Sequence, residues 1–235
     1  ACSLADQEMV LDNVPDIIDV RHMLDVIVEI GGTVERSGER VRIHVTQVNK
    51  TEISQALCNK VRTSILCVAP LLHRTGKAKL YPPGGDVIGR RRLDTHFYGL
   101  QKLGATVDSN GSYAFSLPNG LRGAELFFDE PSVTGTEHIL MAAAVSEGNT
   151  LIRNAACEPH VQDLAVMLNA MGAKISGIGS DRLVIEGVER LHGCTHAVVA
   201  DRIEAGTFLC AVAAAGGKVL LRQGKMQDLI GFMDA

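Results

Sequence analysis

Residues 82–96 hold the side chains with the clearest chemistry, in the order PPGGDVIGRRRLDTH. Gly84 and Gly85 let the backbone turn sharply and approach a ligand closely. Three arginines, Arg90 to Arg92, carry forked donors suited to phosphate or carboxylate groups. Asp86 lies in the same stretch, and its carboxyl group can give or accept a proton. The segment predicts a loop that grips an anion and moves a proton, with a solvated hairpin as the plainer alternative.

The composition is that of a globular chain with one large core or two smaller ones. It has 235 residues, of which 46% are hydrophobic and 21% charged. No apolar run reaches the roughly 18 residues of a membrane span, and the start does not resemble a signal peptide, so we expect a cytoplasmic protein with no membrane partner. A net charge of −4 argues against a nucleic-acid surface, which leaves a small anion as the partner of the arginines.

The cysteines predict reduced thiols rather than a disulfide framework or a metal site. They are scattered without CxxC spacing, and most have apolar neighbours. No other cluster of side chains has metal-ligand spacing, so we expect neither a metal nor an organic cofactor. The six positions are Cys2, Cys58, Cys67, Cys157, Cys194 and Cys210.

The chain repeats at about 70 residues. A helical pattern ends at a glycine and a short strand follows, at residues 30–34, 103–107 and 171–175. Each repeat also has an earlier helix and strand: helices at 65–72, 139–145 and 208–215, and strands at 77–81, 150–152 and 218–221. Repeats of this kind bury their cores by stacking on one another.

Counting within the repeat suggests that both ends are cut. The first helix of the first repeat should open before Ala1, and the fourth repeat stops between Gln227 and Ala235, inside its second helix. We therefore expect the chain to be part of a longer protein.

The segment PGGDVIGRRRLDTHFYGLQKLGA, from Pro83 to Ala105, resembles a family signature. It is similar to the enolpyruvyl transferases that act on UDP-N-acetylglucosamine, whose pattern runs roughly PGGCxIGxRPxDxHxxGLxxLGA. Residues 131–143 and 200–208 resemble the same family. The similarity therefore extends along nearly the whole chain.

The resemblance implies an α/β fold of repeated βαβαββ units around a pseudo-threefold axis, an inside-out α/β barrel. Residues 1–199 would form the first domain with its first helix truncated, and residues 200–235 would begin a second domain. A lysine–asparagine pair of the family would precede Ala1, and the acid and arginines of the second domain would follow Ala235. The chain alone should then be inactive without that second domain.

The resemblance also assigns roles to individual residues. Asp86 stands where most members have a cysteine that protonates the enol carbon, and it would serve as the catalytic acid unless the protein is a loss-of-function paralogue. Arg62 and Arg91 match arginines that contact phosphoenolpyruvate. Positions that bind the uridine and diphosphate in relatives correspond to Leu93, Asp94, Ser132, Val133, Thr134 and Gly135.

Several neighbouring residues allow a plainer interpretation. Ser132 and Asp201 begin helices, where they either cap the helix or help to hold an anion. Arg92 replaces the family's usual proline, and the resemblance assigns no definite role to it or to Arg90, for which a solvated position is the plainer interpretation. His96 and His138 are expected to be structural.

The function implied is transfer of the enolpyruvyl group of phosphoenolpyruvate to the 3-hydroxyl of UDP-N-acetylglucosamine, the first committed step of peptidoglycan synthesis. A shikimate-pathway enolpyruvyl transferase and a non-catalytic module that binds a nucleotide sugar stay open as alternatives.

Overall fold

A computed structural model describes residues 1–85 and 92–233 of the chain. The chain divides into two compact units, Ala1–Ala197 and Val198–Ala235. Three repeats make up the larger unit, and a helical segment makes up the smaller.

The three repeats share the order helix, strand, helix, strand, strand, in which a short 3₁₀ turn stands for the first helix of the first repeat. The first contains a 3₁₀ turn at Cys2–Leu4, β1 (Met9–Asp12), α1 (Ile18–Glu29), β2 (Thr33–Ser37) and β3 (Arg40–His44). The second contains α2 (Gln55–Cys58), a 3₁₀ turn at Arg62–Cys67, α3 (Val68–Thr75), β4 (Lys77–Leu80), α4 (Asp94–Lys102), β5 (Thr106–Asp108) and β6 (Tyr113–Ser116). The third contains β7 (Glu125–Phe127), α5 (Val133–Ala144), β8 (Asn149–Arg153), α6 (Pro159–Ala170), β9 (Lys174–Ser176) and β10 (Arg182–Glu186).

A glycine in the left-handed region ends the corresponding helix of every repeat. Gly31, Gly104 and Gly172 follow α1, α4 and α6, with φ angles of +109°, +101° and +100°. Residues with a side chain rarely adopt such angles, so glycine allows the chain to turn directly into the next strand. The predicted repeat of helix, glycine and strand is confirmed at all three positions.

Each repeat carries one small sheet. The strand orders are β11-β1-β3-β2, β4-β6-β5 and β7-β8-β10-β9, where β11 is Thr195–Ala197. The outer strand of the first and third sheets is parallel to its neighbour, and the other pairings are antiparallel. In the second sheet an isolated parallel bridge between Glu52 and Lys79 takes the place of that outer strand. Alternating burial along β3 and β10 shows that one sheet face is turned to the core.

Helix α5 lies at the centre of the larger unit. Nine of its 12 residues are buried, and it packs against α3, α4 and α6. A helix buried on nearly all sides must be apolar around its circumference, and the run of Ile139 to Ala144 meets that requirement. Helices α4 and α5 also approach each other closely at Gly99 of α4. A Cβ on this residue would lie 2.4 Å from the Ile139 side chain, so the contact requires glycine.

Two sequence expectations differ from the structure. The helix predicted at 65–72 begins as the 3₁₀ turn and becomes α-helical only at Val68, because Pro70 has no N–H and its ring would clash with the carbonyl of a preceding α-helical turn. The strand predicted at 218–221 is wrong, because the structure places irregular backbone there. Leu220 is 79% exposed, and a strand needs a paired neighbour to satisfy its backbone groups.

The smaller unit, Val198–Ala235, contains α7 (Arg202–Ala215), a 3₁₀ turn at Met226–Leu229 and α8 (Ile230–Met233). Asp201 caps α7, because its Oδ1 accepts hydrogen bonds from the N–H groups of Ile203 at 2.7 Å and Glu204 at 3.3 Å. Within the described part of the chain no helix is long and apolar enough to cross a membrane.

The six cysteines are free thiols in the structure. Cys2, Cys58 and Cys67 lie in the core, whereas Cys157 and Cys194 are half-buried and Cys210 is exposed, so only three of the six have the buried setting expected of core thiols. Burial raises the pKa of the Cys67 thiol to about 11, which keeps it protonated and unreactive at neutral pH.

Candidate active site

The predicted catalytic residue Asp86 and the predicted contact Arg91 lie outside the described residues, as does Arg90. Their roles stay predictions. The structure does describe both ends of the loop that carries them, Pro82–Gly85 on one side and Arg92–Asp94 on the other.

The loop leaves strand β4 through a tightly packed turn. The N–H of Gly84 donates a 2.8 Å hydrogen bond to the carbonyl of Cys58. A Cβ on Gly84 would lie 1.9 Å from the Asn59 carbonyl oxygen, so only glycine fits. Gly85 has a φ of +95°, and a Cβ there would contact the Arg62 backbone and side chain. The loop that holds Asp86 therefore starts directly beside Arg62.

A cavity of about 410 Å³ lies where the two ends of the loop meet. It brings together three of the residues predicted to contact substrate, Arg62, Leu93 and Asp94. The full lining is Arg62, Pro82, Pro83, Arg92, Leu93, Asp94, Phe97 and Tyr113. The rings of Phe97 and Tyr113, with centroids 5.0 Å apart, give the cavity an aromatic wall beside its charged groups.

Arg62 joins the two ends of the loop. Its Nη2 donates a 3.0 Å hydrogen bond to the backbone carbonyl of Arg92. Arg92 is not simply solvated, because its guanidinium forms an ion pair with the Asp94 carboxylate, although both side chains are more than half exposed. An exposed pair of this kind contributes little to stability. It does restrict the orientation of Asp94 at the first residue of α4.

The other predicted contacts lie at the N-terminal end of α5. Ser132 caps this helix, because its hydroxyl accepts a 3.2 Å hydrogen bond from the Gly135 N–H. The capping role is therefore real, and an anion-binding role remains compatible with it, since a helix start presents further N–H groups and a partial positive charge. A Cβ on Gly135 would lie 2.8 Å from the Thr95 methyl group, so the starts of α4 and α5 pack closely together.

Val133 and Thr134 form the first turn of α5 and are half-buried. The turn Arg62–Cys67 also packs against α5. The two predicted substrate-binding segments and Arg62 thus belong to one neighbourhood.

A buried histidine pair connects these helices. His96 of α4 and His138 of α5 are 1% and 0% exposed, and their Nδ1 atoms are 2.9 Å apart. His138 Nε2 accepts a hydrogen bond from the Ala69 N–H at 3.2 Å, and His96 Nε2 lies 3.2 Å from the Thr134 hydroxyl. Their structural role agrees with expectation, but no pattern in the sequence indicated that the two rings contact each other.

Burial makes both rings neutral at ordinary pH. It lowers the pKa of His96 to about 4, with a smaller effect from the nearby Arg62 cation. The pKa of His138 lies well below 6.5 for the same main reason, and His96 adds to that effect. Because the Arg62 cation lowers the pKa of His96, its positive charge also acts on the first turn of α4.

One further titratable group was missed by the sequence reasoning. Glu137, in the second turn of α5, is half-buried, and burial raises the pKa of its carboxyl to about 7, with a further increase from the Glu158 carboxylate. Such a carboxyl group is able to exchange a proton near neutral pH. The sequence shows Glu137 as the last residue of the motif PSVTGTE, but it does not show that the folded protein buries the carboxyl group of this residue.

A second cavity of about 400 Å³ is less suited to an anion. It lies at the C-terminal ends of α3 and α5, marked by His73 and Val145, and Glu147 and Glu189 also line it. Helix C-termini present carbonyl groups and a partial negative charge. The cavity beside Arg62 is therefore the candidate active site. Among the described residues no group of three or more His, Cys, Asp or Glu side chains is arranged to hold a metal.

Comparison with known proteins agrees with this fold. The family model of EPSP synthase (3-phosphoshikimate 1-carboxyvinyltransferase) matches residues 1–235. Among solved structures, the enolpyruvyl transferase NikO from Streptomyces tendae superposes with a TM-score of 0.77 at 21% identity, covering 89% of this chain and 50% of that one. EPSP synthase from Acinetobacter baumannii gives a TM-score of 0.67 at 19% identity, over 89% of this chain and 48% of that one. The predicted α/β fold is confirmed.

Curated relatives are considerably closer in sequence. The UDP-N-acetylglucosamine 1-carboxyvinyltransferase of Borreliella burgdorferi is 48% identical over 227 residues, which are 97% of this chain and 53% of the relative. The enzyme of that name from Treponema pallidum is 49% identical over 235 residues, 99% of this chain and 55% of the relative. The chain spans about half the length of the curated relatives it matches.

Proposed function

Because the chain belongs to the EPSP synthase family of enolpyruvyl transferases, we propose that the protein containing it transfers the enolpyruvyl group of phosphoenolpyruvate to the 3-hydroxyl of UDP-N-acetylglucosamine. The acceptor is supported by one observation above the others. Relatives with 46–49% identity over nearly the whole chain carry the name UDP-N-acetylglucosamine 1-carboxyvinyltransferase. The solved structures are only about 20% identical to this chain, so they support the fold and not the acceptor.

The reaction has two stages with opposite proton movements. In the addition, the 3-hydroxyl oxygen bonds to C2 of phosphoenolpyruvate and loses its proton, while C3 gains one, which gives a tetrahedral intermediate. In the elimination, C3 loses a proton and the bond from C2 to the phosphate oxygen breaks. The products are the enolpyruvyl ether and inorganic phosphate.

The site supports this chemistry through charge. Phosphoenolpyruvate is an anion whose phosphate group gains negative charge as it leaves, and a fixed guanidinium stabilises that charge. Arg62 lines the cavity and is held by its bond to the Arg92 carbonyl. We assign Arg91 to the same phosphate and Asp86 to the proton at C3, both on the loop that starts beside Arg62.

The nucleotide sugar would lie along the starts of α4 and α5. Leu93 and Asp94 would contact the uridine end, and Ser132 to Gly135 would hold the diphosphate at the positive end of α5. A cytoplasmic location, a part in peptidoglycan synthesis, cell shape and division, and independence from metals and organic cofactors follow from this reaction and stay predictions with it.

A phosphate-release assay on the full-length protein tests the proposal. We expect release to require both phosphoenolpyruvate and UDP-N-acetylglucosamine, and not to occur with shikimate 3-phosphate as acceptor. If phosphate is released from phosphoenolpyruvate with shikimate 3-phosphate as acceptor and not with UDP-N-acetylglucosamine, the proposed acceptor is wrong. Binding of UDP-N-acetylglucosamine without phosphate release would identify a non-catalytic relative. The isolated chain, Ala1 to Ala235, should release no phosphate, because the closed site of this family needs groups from two domains.

A further inference from the structure

We propose that His138 and His96 are positioning residues that fix the Thr134 hydroxyl as a hydrogen-bond donor toward the diphosphate oxygens of the nucleotide sugar. The ligand in this proposal rests on the proposed function. The relay itself rests on the geometry of four groups: the Ala69 N–H, two imidazole rings and one hydroxyl.

The first link fixes the tautomer of His138. The backbone N–H of Ala69 points to His138 Nε2 at 3.2 Å. A backbone N–H can only donate, so Nε2 must be the acceptor. In a neutral imidazole the other nitrogen then carries the proton. His138 is therefore the Nδ1–H tautomer.

The next links follow without further choice. The Nδ1 atoms of the two histidines are 2.9 Å apart, and the proton between them belongs to His138, so His96 Nδ1 accepts. His96 then carries its own proton on Nε2, which donates to the Thr134 hydroxyl oxygen at 3.2 Å. The whole chain of hydrogen bonds runs in one direction, from the Ala69 backbone to the first turn of α5.

The polarity of this chain determines what Thr134 can do. Its oxygen already accepts a hydrogen bond from His96, so its own O–H is available as a donor. Within the described part of the chain this hydroxyl makes no second hydrogen bond. Phosphate oxygens accept and never donate, and they are favoured at helix N-termini. The relay therefore orients one more donor in the same direction as the backbone N–H groups of α5.

The pair has no place for an additional proton. With Nε2 of His138 held by Ala69, a second proton would have to lie on His96 Nδ1, directly facing the Nδ1–H of His138. Both rings are also almost completely buried, at 1% and 0% exposure. Burial accordingly lowers the pKa of both histidines, that of His96 to about 4, with the Arg62 cation as a lesser cause. The direction of the relay is therefore constant across the pH range in which the enzyme would work.

Nitrogen NMR of the histidine-labelled full-length protein tests the relay without any ligand. We expect His138 as the Nδ1–H tautomer, His96 as the Nε2–H tautomer, and no titration of either ring above about pH 5. Spectra of His96→Leu and His138→Asn would assign the signals. The opposite tautomer at either ring, or titration near pH 6.5, would overturn the relay.

A double-mutant cycle tests the effect on binding. Calorimetry would measure the affinity of the full-length protein for UDP and for uridine in Thr134→Val, His96→Leu and the double variant. We expect Thr134→Val to weaken UDP binding by about 10-fold or more, the size of a lost hydrogen bond to a charged group. His96→Leu should weaken it by several fold, and the double variant no more than Thr134→Val alone. Uridine affinity should be unchanged in all three.

His73→Leu serves as the matched control, because His73 is a partly buried histidine that lines the other cavity. It should bind UDP as the wild type does. If His96→Leu fails to fold, His96→Gln replaces it, because an amide N–H near the position of Nε2 can still donate to Thr134, and UDP affinity should stay within about threefold of wild type.

Additive losses in the double variant, or an unchanged UDP affinity in His96→Leu, would show that the pair serves packing alone. A wild-type protein that binds no UDP would refute the proposed function, and with it the ligand assigned to Thr134. The tautomers would still decide separately whether the relay exists.

Discussion

Replacing Gly84 with alanine should damage both the stability and the activity of the full-length protein. The new Cβ would meet three backbone atoms of Asn59, at 1.9 Å from the carbonyl oxygen, 2.5 Å from the carbonyl carbon and 2.9 Å from Cα. Backbone atoms cannot rotate away as a side chain can. The segment would have to move by about 1.5 Å to restore ordinary contact distances of about 3.5 Å.

The expected loss of stability has two parts. Overpacking of a close contact costs about 1–3 kcal/mol. The 2.8 Å hydrogen bond from Gly84 to the Cys58 carbonyl would also be broken or stretched, which costs about 1 kcal/mol. We expect a total of roughly 2–4 kcal/mol in the free energy of unfolding. Because Gly84 begins the loop that carries Asp86, a displacement of about 1 Å or more should also lower kcat by at least about 100-fold.

Urea denaturation and the phosphate-release assay measure the two effects. Gly224→Ala is the matched control, because a Cβ there meets only the Leu221 side chain, at 3.9 Å, and we expect unfolding and kinetics close to wild type. If Gly84→Ala unfolds at the same urea concentration as wild type and turns over at the same rate, the tight turn against Asn59 does not exist.

Three further predictions concern the site. Arg91→Ala should remove about 2–5 kcal/mol of transition-state stabilisation and lower kcat/KM accordingly. The loss should be far larger than that of Arg90→Ala. Equal kinetics of the two variants would mean that the loop register is wrong. Asp86 should make the protein resistant to the epoxide fosfomycin, since a carboxylate is a weaker nucleophile than a thiolate. Asp86→Cys should then form an adduct visible by mass spectrometry, and Asp86→Asn should lose turnover; an adduct on wild-type Asp86, or near-normal turnover of Asp86→Asn, would contradict this role. Glu137 should lower stability as the pH rises, because its folded pKa of about 7 exceeds the ordinary 4.5, so the folded state binds more protons between these values. Urea denaturation between pH 4.5 and 8 should show a loss of up to about 3 kcal/mol that is absent in Glu137→Gln, and parallel profiles of the two proteins would refute the assignment.

Local patterns in the sequence predicted much of the fold. Helix periodicity and the glycines at 31, 104 and 172 located three equivalent helix ends, because a left-handed turn after a helix is a property of a few neighbouring residues. The strand expected at 218–221 failed because a strand depends on a partner, and hydrophobic alternation does not provide one. Strand pairing depends on residues far apart in the sequence, and the short hydrophobic pattern at 218–221 contains no information about a partner strand.

The site was predictable to a similar extent. The resemblance pointed to Arg62, Leu93 and Asp94, and the structure brings these three together in one cavity. The contact between His96 and His138 joins positions 42 residues apart. The sequence around either residue does not predict it. The raised pKa of Glu137 likewise depends on burial that only the packed helices create.

The pairing of β1 with β11 has a consequence for the order in which the protein folds. Val10 lies opposite Thr195 in this parallel pair, so 185 positions separate two neighbouring strands. At a synthesis rate of about 5–20 residues per second, the outer strand of the first sheet would reach the growing chain roughly 10–40 s after its partner.

During that interval β1 has β3 on one side and an unsatisfied row of backbone groups on the other. An open edge of this kind invites pairing with other chains. Of the three repeats, the first is thus the earliest to be made and the last to be completed, and its open edge is covered only when Thr195–Ala197 pairs with β1.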